Sequence, residues 1–493
     1  MENIVSDQSR GLNFEENLIF DKESGDVSGV DWPDVEISNL RTGMQERKDI
    51  GVPNLSEPQI VRHFVRISQK NYSIDSGFYP LGSCTMKHNP RLNEKVARFD
   101  GFANLHPLQP ASTIQGSLKL MHELENYLAE LSGLPAVTLN PAAGAHGELA
   151  GMMVIRKRHE DKGRARNIVL VPTSAHGTNP ATAAFCGYKI QEIPATKDGT
   201  LDVEAFKKAL NEDVAALMLT NPNTCGIFEG QVQEIADLLH EVGAYLYCDG
   251  ANFNAMVGKV RPGDFGVDVM HFNLHKTFST PHGGGGPGSG PIAVSEELAP
   301  YLPVPRIEKN SDDYYELVTD KEKTIGRLKG FQGQFGMHVR ALTYILSHGA
   351  DGLRQVAEDA VLNANYILSQ LKDYYHVPFG ETCMHECLLS DKLQTPYGVT
   401  TNDIAKTLIE YSMHPMTVYF PLVVAGAMLI EPTETETKAS MDRFIAVMKM
   451  IAIEAKNGNG AQFTKNPTCT PRLKLDEVTA ARKPVLRWKK STE

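Results

Sequence analysis

No apolar run in this chain approaches the roughly 20 residues that a helix needs to cross a bilayer, so a membrane span is not expected. Positive charge is in deficit: 49 Lys and Arg against 60 Asp and Glu give a net charge of −11. That balance offers no general basic face for nucleic acid. The first residues, Met1-Glu2-Asn3-Ile4-Val5-Ser6-Asp7, lack the apolar core of a signal peptide and the arginine-rich pattern of a transit peptide. Cytoplasmic residence is therefore the expectation. Cysteine is scarce, with seven scattered residues: Cys84, Cys186, Cys225, Cys248, Cys383, Cys387 and Cys469. An odd, dispersed set suits reduced thiols better than a disulfide framework. Cys383 and Cys387 flank His385, but the spacing suits zinc poorly and no second cysteine pair completes such a site, so no metal is expected. Internal repeats and low-complexity tracts are also missing.

What remains is an ordinary globular composition, 41% hydrophobic and 22% charged, over 493 residues, enough for two or three domains with a large core. Residues 1–65 are polar and irregular, with Pro33, Pro53 and Pro58, and read as an extended arm. Thr113 to Leu134 shows helical spacing of Leu118, Met121, Leu124, Leu128 and Leu131. Strand and helix patterns then alternate. Strands are expected over Ile168–Pro172, Tyr188–Pro194, Val214–Leu219, Ala244–Cys248 and Val269–Phe272. Helices are expected over Leu149–His159, Val203–Leu210 and Val232–Val242. Such alternation predicts an α/β fold with a mainly parallel sheet in a large domain spanning 66–340. From 341 to 458 the pattern predicts a smaller C-terminal α/β domain. It has helices over Val339–His348, Val356–Tyr374 and Thr401–Tyr411, and strand pieces at Val418–Phe420 and Ala427–Ile430. Residues 459–493 read as an irregular tail.

The strongest chemical signal is Asn273-Leu274-His275-Lys276-Thr277, followed by glycines from Gly283 to Gly286. A lysine where a buried strand ends in a glycine-rich loop suits a cofactor aldehyde held as a Schiff base. Asp249 ends the preceding strand, and the pair suits pyridoxal phosphate, carboxylate on the ring nitrogen and amine on the aldehyde. As lone residues they would read as a helix cap and a surface lysine. The small-residue turn Ala143-Gly144-Ala145 precedes a helical stretch and would cradle a phosphate, since an N-terminus presents free N–H groups to anions. His275 would add a phosphate contact or serve as a satisfied structural histidine. His176 follows a strand and would stack on the ring or bond to backbone. Asn221 and Thr224 follow the next strand and would reach the ring hydroxyl, or simply form an Asn-Pro turn. Ala251 is small enough for a ring to lie against it. Several strand ends thus converge on one site, as ligand sites on parallel sheets require.

In its longer motifs the chain resembles the glycine-cleavage P-protein family, glycine dehydrogenase (decarboxylating), in its split bacterial form. It is most similar to the second, cofactor-bearing subunit. The stretches that carry the resemblance are Tyr79–Lys87, His106–Pro110, Asn140–Glu148, Ser174–Pro180, Thr220–Gly226, Asp249–Asn252, Asn273–Phe278, His414-Pro415, Tyr419–Pro421 and Glu431–Glu436. The resemblance implies a fold type I, aspartate-aminotransferase-like enzyme using pyridoxal phosphate. It implies glycine as substrate, a lipoylated H-protein as carrier, and a first subunit completing an α2β2 heterotetramer. By resemblance Lys276 carries the cofactor, His176 stacks on it and Asp249 pairs with its nitrogen. Ser83, Cys84, Thr85 and Lys87 lie near the entrance, where they would meet substrate or carrier. Cys387 and the stretches His414–Met416 and Val423–Ala427 depart slightly from the family pattern. A different pyridoxal-phosphate lyase and a non-catalytic scaffold subunit stay open as alternatives.

Overall fold

The computed structural model describes residues 16–22, 33, 51–283, 288–468, 470, 473 and 475–489. Gly284, Gly285 and Gly286 of the glycine run, Cys469 and much of the expected N-terminal arm lie outside the described residues. The chain divides into two compact units, Gly77–Thr464 and a second made of the residues up to Ser76 with those from Lys465.

The larger unit is built on a seven-stranded sheet. Its strands are β1 (Ala136–Thr138), β2 (Ile168–Pro172), β3 (Lys189–Ile193), β4 (Val214–Thr220), β5 (Tyr245–Gly250), β6 (Val269–Phe272) and β7 (Ile292–Val294), in the order β1-β7-β6-β5-β4-β2-β3. β3, β2, β4, β5 and β6 run parallel, and β7 runs antiparallel to both β6 and β1. β4, β5 and β6 are buried along their whole length, which explains their continuous apolar runs: both faces are covered. Leu118, Met121, Leu124 and Leu128 of the helix Gln115–Ser132 join one side of this core, and Val154 and Ile155 of the helix Gly144–Asp161 join the other.

One difference from the sequence expectation bears on the site. The helix expected from Leu149 begins at Gly144, so Gly144–Glu148 form its first turns rather than a loop ahead of it. Small residues there permit a close approach: a Cβ on Gly144 would stand 2.2 Å from Asn273 Oδ1. The two helices expected around Gly349 are both present within Phe335–Leu371 and meet at a kink at Gly349, whose φ of 63° is non-helical. A two-stranded ribbon, β8 (Arg306–Lys309) and β9 (Tyr315–Val318), stands apart from the main sheet.

A second sheet, in the order β10-β12-β11, pairs β10 (Cys387–Ser390), β11 (Thr417–Val418) and β12 (Ala427–Ile430) antiparallel. Val399, Ile404 and Leu408 on and beside the helix Thr401–Glu410 and Phe444, Met448 and Ile451 of Lys438–Glu454 pack beneath it. The cap of Thr401–Glu410 is Thr400, one residue before the expected Thr401. Its side chain accepts the Asp403 N–H, and the Asp403 carboxylate accepts the Thr400 N–H at 3.0 Å.

In the smaller unit, Ser56 and Gln59 form a capping box at the start of the helix Glu57–Ser68. Glu16 accepts from His63 at 2.7 Å, and Phe20 packs against Trp488 at 5.2 Å between ring centres. Among the described residues no helix is long and apolar enough to cross a membrane.

Candidate active site

The carboxyl ends of β4, β5 and β6 open onto a cavity of about 170 Å³. Lys276 lies four residues past β6, Asp249 is the penultimate residue of β5, and Thr220 ends β4. Gly144, Ala145 and Glu148 come in from the start of the helix Gly144–Asp161, and His176 and Thr178 from the turn after β2. Ser83, Thr224, Ala251, Asn252, His271, Asn273 and His275 complete the wall. Of the residues singled out in the sequence, Lys276, Asp249, His176, Gly144, Ala145, Ala251, Thr224, His275 and Ser83 therefore share one cavity.

Asp249 sits directly beside His271 in the β5–β6 register. Its burial alone would raise the carboxyl pKa. The neighbouring His271, the Asn179 amide at 3.0 Å, the Ala251 N–H at 2.9 Å and Lys276 outweigh that and hold it below the usual range. A buried carboxylate held ionised in this way is suited to keep a proton on a ring nitrogen. Burial lowers the His271 pKa, although Asp249 pulls the other way, and Tyr247 contacts its Nδ1 at 2.6 Å. Burial and the adjacent Lys276 push His275 down to about 3, so this imidazole is neutral near pH 7.

At the helix start the first intrahelical hydrogen bond is Gly147 N–H to Ala143 C=O, 2.9 Å. The N–H groups of Gly144, Ala145 and His146 precede it and have no helical partner, as at any helix start. Ala143 is the N-cap and is exposed. It contributes its carbonyl to the turn and does not line the cavity. Asn221 is buried below the cavity, its Oδ1 accepting the Glu229 N–H at 3.0 Å. The Thr224 hydroxyl donates to the Ser174 carbonyl, and only its lone pairs remain for a ligand.

The segment Ser83–Lys87 is held from the C-terminal sheet. Ser83 and Thr85 are left-handed, with φ of 61° and 48°, a conformation that persists only where neighbours fix it. Glu386 accepts the Ser83 N–H at 2.7 Å. Glu431 accepts the Thr85 N–H at 2.9 Å and its hydroxyl at 2.5 Å. In return the Ser83 carbonyl accepts a hydrogen bond from Lys276 Nζ at 2.6 Å. Burial, with Glu431 beside it, pushes the Glu386 carboxyl well above its ordinary range. Cys84 is raised by burial and by Glu431 and Glu386, against Lys276, which keeps it a thiol.

Thr85 and Lys87 do not line the cavity. Lys87 is buried and spends its donors on Glu434 at 2.6 Å, Asn254 at 2.9 Å and Tyr344 at 3.1 Å. Ser83 lines the cavity, and Thr85 and Lys87 anchor the loop.

Glu148, Thr178, Thr220, Asn252, His271 and Asn273 face the cavity without having been given a role from the sequence. Each stands within a stretch of small or polar residues at a strand end or helix start, which was the available signal. Burial and the nearby Asp249 push the Glu148 carboxyl up to about 7, while bonds from Asn179 and Thr178 pull down.

Residues 356–469 match the family described as glycine dehydrogenase, C-terminal domain, and residues 146–286 match aminotransferase class-V. A probable glycine dehydrogenase (decarboxylating) subunit 2 from Caulobacter vibrioides is 58% identical, covering 98% of this chain and 93% of its own length. The protein of that name from Caldanaerobacter subterraneus subsp. tengcongensis is 53% identical, covering 96% and 99%. Among solved structures, an inhibitor-bound glycine decarboxylase (P-protein) of the glycine cleavage system aligns with a TM-score of 0.68 at 19% identity, over 84% of this chain and 92% of that one. A sphingosine-1-phosphate lyase from Burkholderia pseudomallei aligns at 0.61 and 13% identity, over 86% and 96%. These two likenesses carry the fold: an α/β fold of the large-sheet, type I class.

Proposed function

This chain belongs to the glycine dehydrogenase (decarboxylating) subunit 2 family, and we propose that it binds pyridoxal phosphate and decarboxylates glycine. The aminomethyl group passes to the lipoyl arm of an H-protein, with a first subunit completing the enzyme. The observation that carries this reading is the convergence of Lys276, Asp249 and the helix start at Gly144 on one cavity.

The residues present fit that cofactor. The Asn273 side chain packs against Gly144 where any Cβ would stand, and the N–H groups of Gly144, Ala145 and His146 suit a phosphate at a helix N-terminus. The Thr220 hydroxyl is buried at the cavity wall with no hydrogen-bond partner among the described residues, a group that a ligand would satisfy. His275, neutral, has a hydrogen to give to the phosphate, Asp249 would pair with the ring nitrogen, and His176 and Ala251 would face the ring.

When bound, pyridoxal phosphate supplies an aldehyde for amine capture and a ring that takes up the electron pair released by decarboxylation. Asp249 keeps a proton at the ring nitrogen and so maintains that capacity. The Ser83 carbonyl fixes Lys276 Nζ by accepting its hydrogen bond, which orients the amine toward the cavity. Glu386 and Glu431 keep the Ser83–Thr85 backbone in place, so the acceptor does not drift. In the net conversion the bond from glycine's α-carbon to its carboxylate breaks. The electron pair reduces the S–S bond of the lipoyl arm, one sulfur receiving the aminomethyl carbon and the other a proton.

The test is exchange of labelled bicarbonate into the carboxyl of glycine, with lipoylated H-protein, in the presence and absence of the first subunit. Exchange that needs both proteins supports the reading. No exchange with pyridoxal phosphate bound would overturn it.

A further inference from the structure

The turn after β2 poses a problem of hydrogen counting. Thr178 has one hydroxyl hydrogen, and two groups sit within bonding distance of its oxygen: His176 Nδ1 at 2.8 Å and Glu148 Oε1 at 2.9 Å. The Thr178 backbone N–H also donates to His176 Nδ1, at 3.2 Å. That nitrogen is therefore an acceptor and carries no hydrogen. If Glu148 were a carboxylate, the single hydroxyl hydrogen would face two acceptors and one contact would have no hydrogen in it.

A hydrogen on Glu148 Oε1 resolves the count. The acid donates to Thr178 Oγ1, and the Thr178 hydrogen goes to His176 Nδ1. The other carboxyl oxygen, Oε2, accepts from Asn179 Nδ2 at 2.8 Å, whose second hydrogen goes to Asp249 Oδ2 at 3.0 Å. One buried amide thus links two carboxyl groups, and two adjacent buried negative charges are avoided. We propose that Glu148 is a positioning residue that works as a neutral acid, its hydrogen acting through Thr178 to hold His176 with its ring hydrogen on Nε2.

The groups facing Glu148 from the elements around it are Asp249 and Tyr247 on β5, His271 on β6, Lys276 after β6 and His176 after β2. Asp249 opposes ionisation and Lys276 favours it, and the balance leaves Glu148 at about 7. Ionised Glu148 would draw the Thr178 hydrogen to itself and release His176 from its fixed tautomer. The inference rests on the proposed function only for its kinetic arm.

Glu148→Gln is an isostere of the neutral acid: its amide NH2 donates to Thr178 and its oxygen accepts from Asn179. In the reconstituted enzyme this variant is expected to restore most of the rate that Glu148→Ala loses and to lack the fall that the parent shows as Glu148 ionises above about 7. Glu148→Ala and Thr178→Val are expected to lose about 10- to 100-fold in kcat, as when a histidine's orienting partner is removed, while Thr178→Ser retains activity. Thermal unfolding of the full chain without substrate gives a second, independent readout. A carboxyl whose folded pKa lies above its unfolded value stabilises the fold below about 4.5 and loses that contribution as pH rises through about 7. The melting temperature of the parent relative to Glu148→Gln should therefore fall between those limits. A flat difference, a Gln variant as impaired as the Ala variant, or a Gln variant that does not fold would overturn the proposal. Failure of glycine exchange in every form, with the melting difference present, would overturn the glycine reading and leave this one standing.

Discussion

Lys276 Nζ donates to the carbonyl oxygen of Ser83 across 193 residues of sequence, at 2.6 Å. The bond ties the residue proposed to carry the cofactor to a loop whose own shape is dictated from the C-terminal sheet. Glu386 and Glu431 hold that loop in a left-handed backbone by accepting its N–H groups, so the carbonyl that orients the lysine is placed by residues more than 300 positions away.

Lys276→Ala is expected to abolish turnover and the visible absorbance of bound pyridoxal phosphate. It should cost the fold only about 1 kcal/mol, the value of one hydrogen bond. Absorbance spectra and urea unfolding of the same preparation check both parts. Parental turnover would refute the placement.

Asp249→Asn keeps the size of the side chain and removes its charge. We expect kcat to fall by about 10²- to 10³-fold, the usual cost of removing a preorganised electrostatic partner. Single-turnover decarboxylation separates this loss from slow product release. A decrease smaller than tenfold would show that the ring nitrogen is served by another group.

Lys87→Met leaves Glu434 buried without its cation. Burial opposes the Lys87 charge, but Glu434 and Tyr344 more than offset it and raise the lysine above its ordinary value. Breaking such a pair from one side is expected to cost about 3–5 kcal/mol, and Lys87→Met with Glu434→Met should recover much of it. Urea denaturation decides: a single-variant loss below about 1 kcal/mol would match an exposed pair instead.

Acid should weaken the fold through buried neutral histidines. Burial depresses His159 to about 4 and His338 to about 3. A base whose folded pKa is depressed stabilises the protein above 6.5 and loses that contribution as pH falls toward the folded value. Each histidine then costs about 1.4 kcal/mol per pH unit. Melting temperatures between pH 6.5 and 4 should fall, and His338→Gln should fall less steeply. Identical slopes for parent and variant would refute the assignment.

The large sheet was legible in the sequence because β2 and β4–β6 are short apolar runs ending in polar residues, and a parallel sheet buried on both faces writes that pattern. Lys276, Asp249 and His176 stood out for the same reason, since each follows or terminates such a run, and the Gly144 turn stood out because small residues there precede a helical pattern. β10 was not found: Cys387–Ser390 is four residues long and carries no alternation. Glu148 was passed over because it read as the end of the small-residue turn ahead of the helix, and only the tertiary fold sets it against Asn179 and Asp249. The partnership of Glu431 with Thr85 was likewise invisible, because hydrogen bonds between distant segments leave no period in either one.

The Thr85–Glu431 contact spans 346 residues. On the ribosome, at about 5–20 residues per second, the intervening chain takes on the order of 20–70 s to emerge. For the last 155 residues of that stretch (431 − 276), on the order of 8–30 s at that rate, Lys276 is already present while the clamp that seats its acceptor has not been made. Maturation of the site is therefore scheduled by the last stretch of chain: a nascent polypeptide released between residues 276 and 431 would contain every residue of the cavity wall and lack the Glu431 clamp on the loop that aims its lysine.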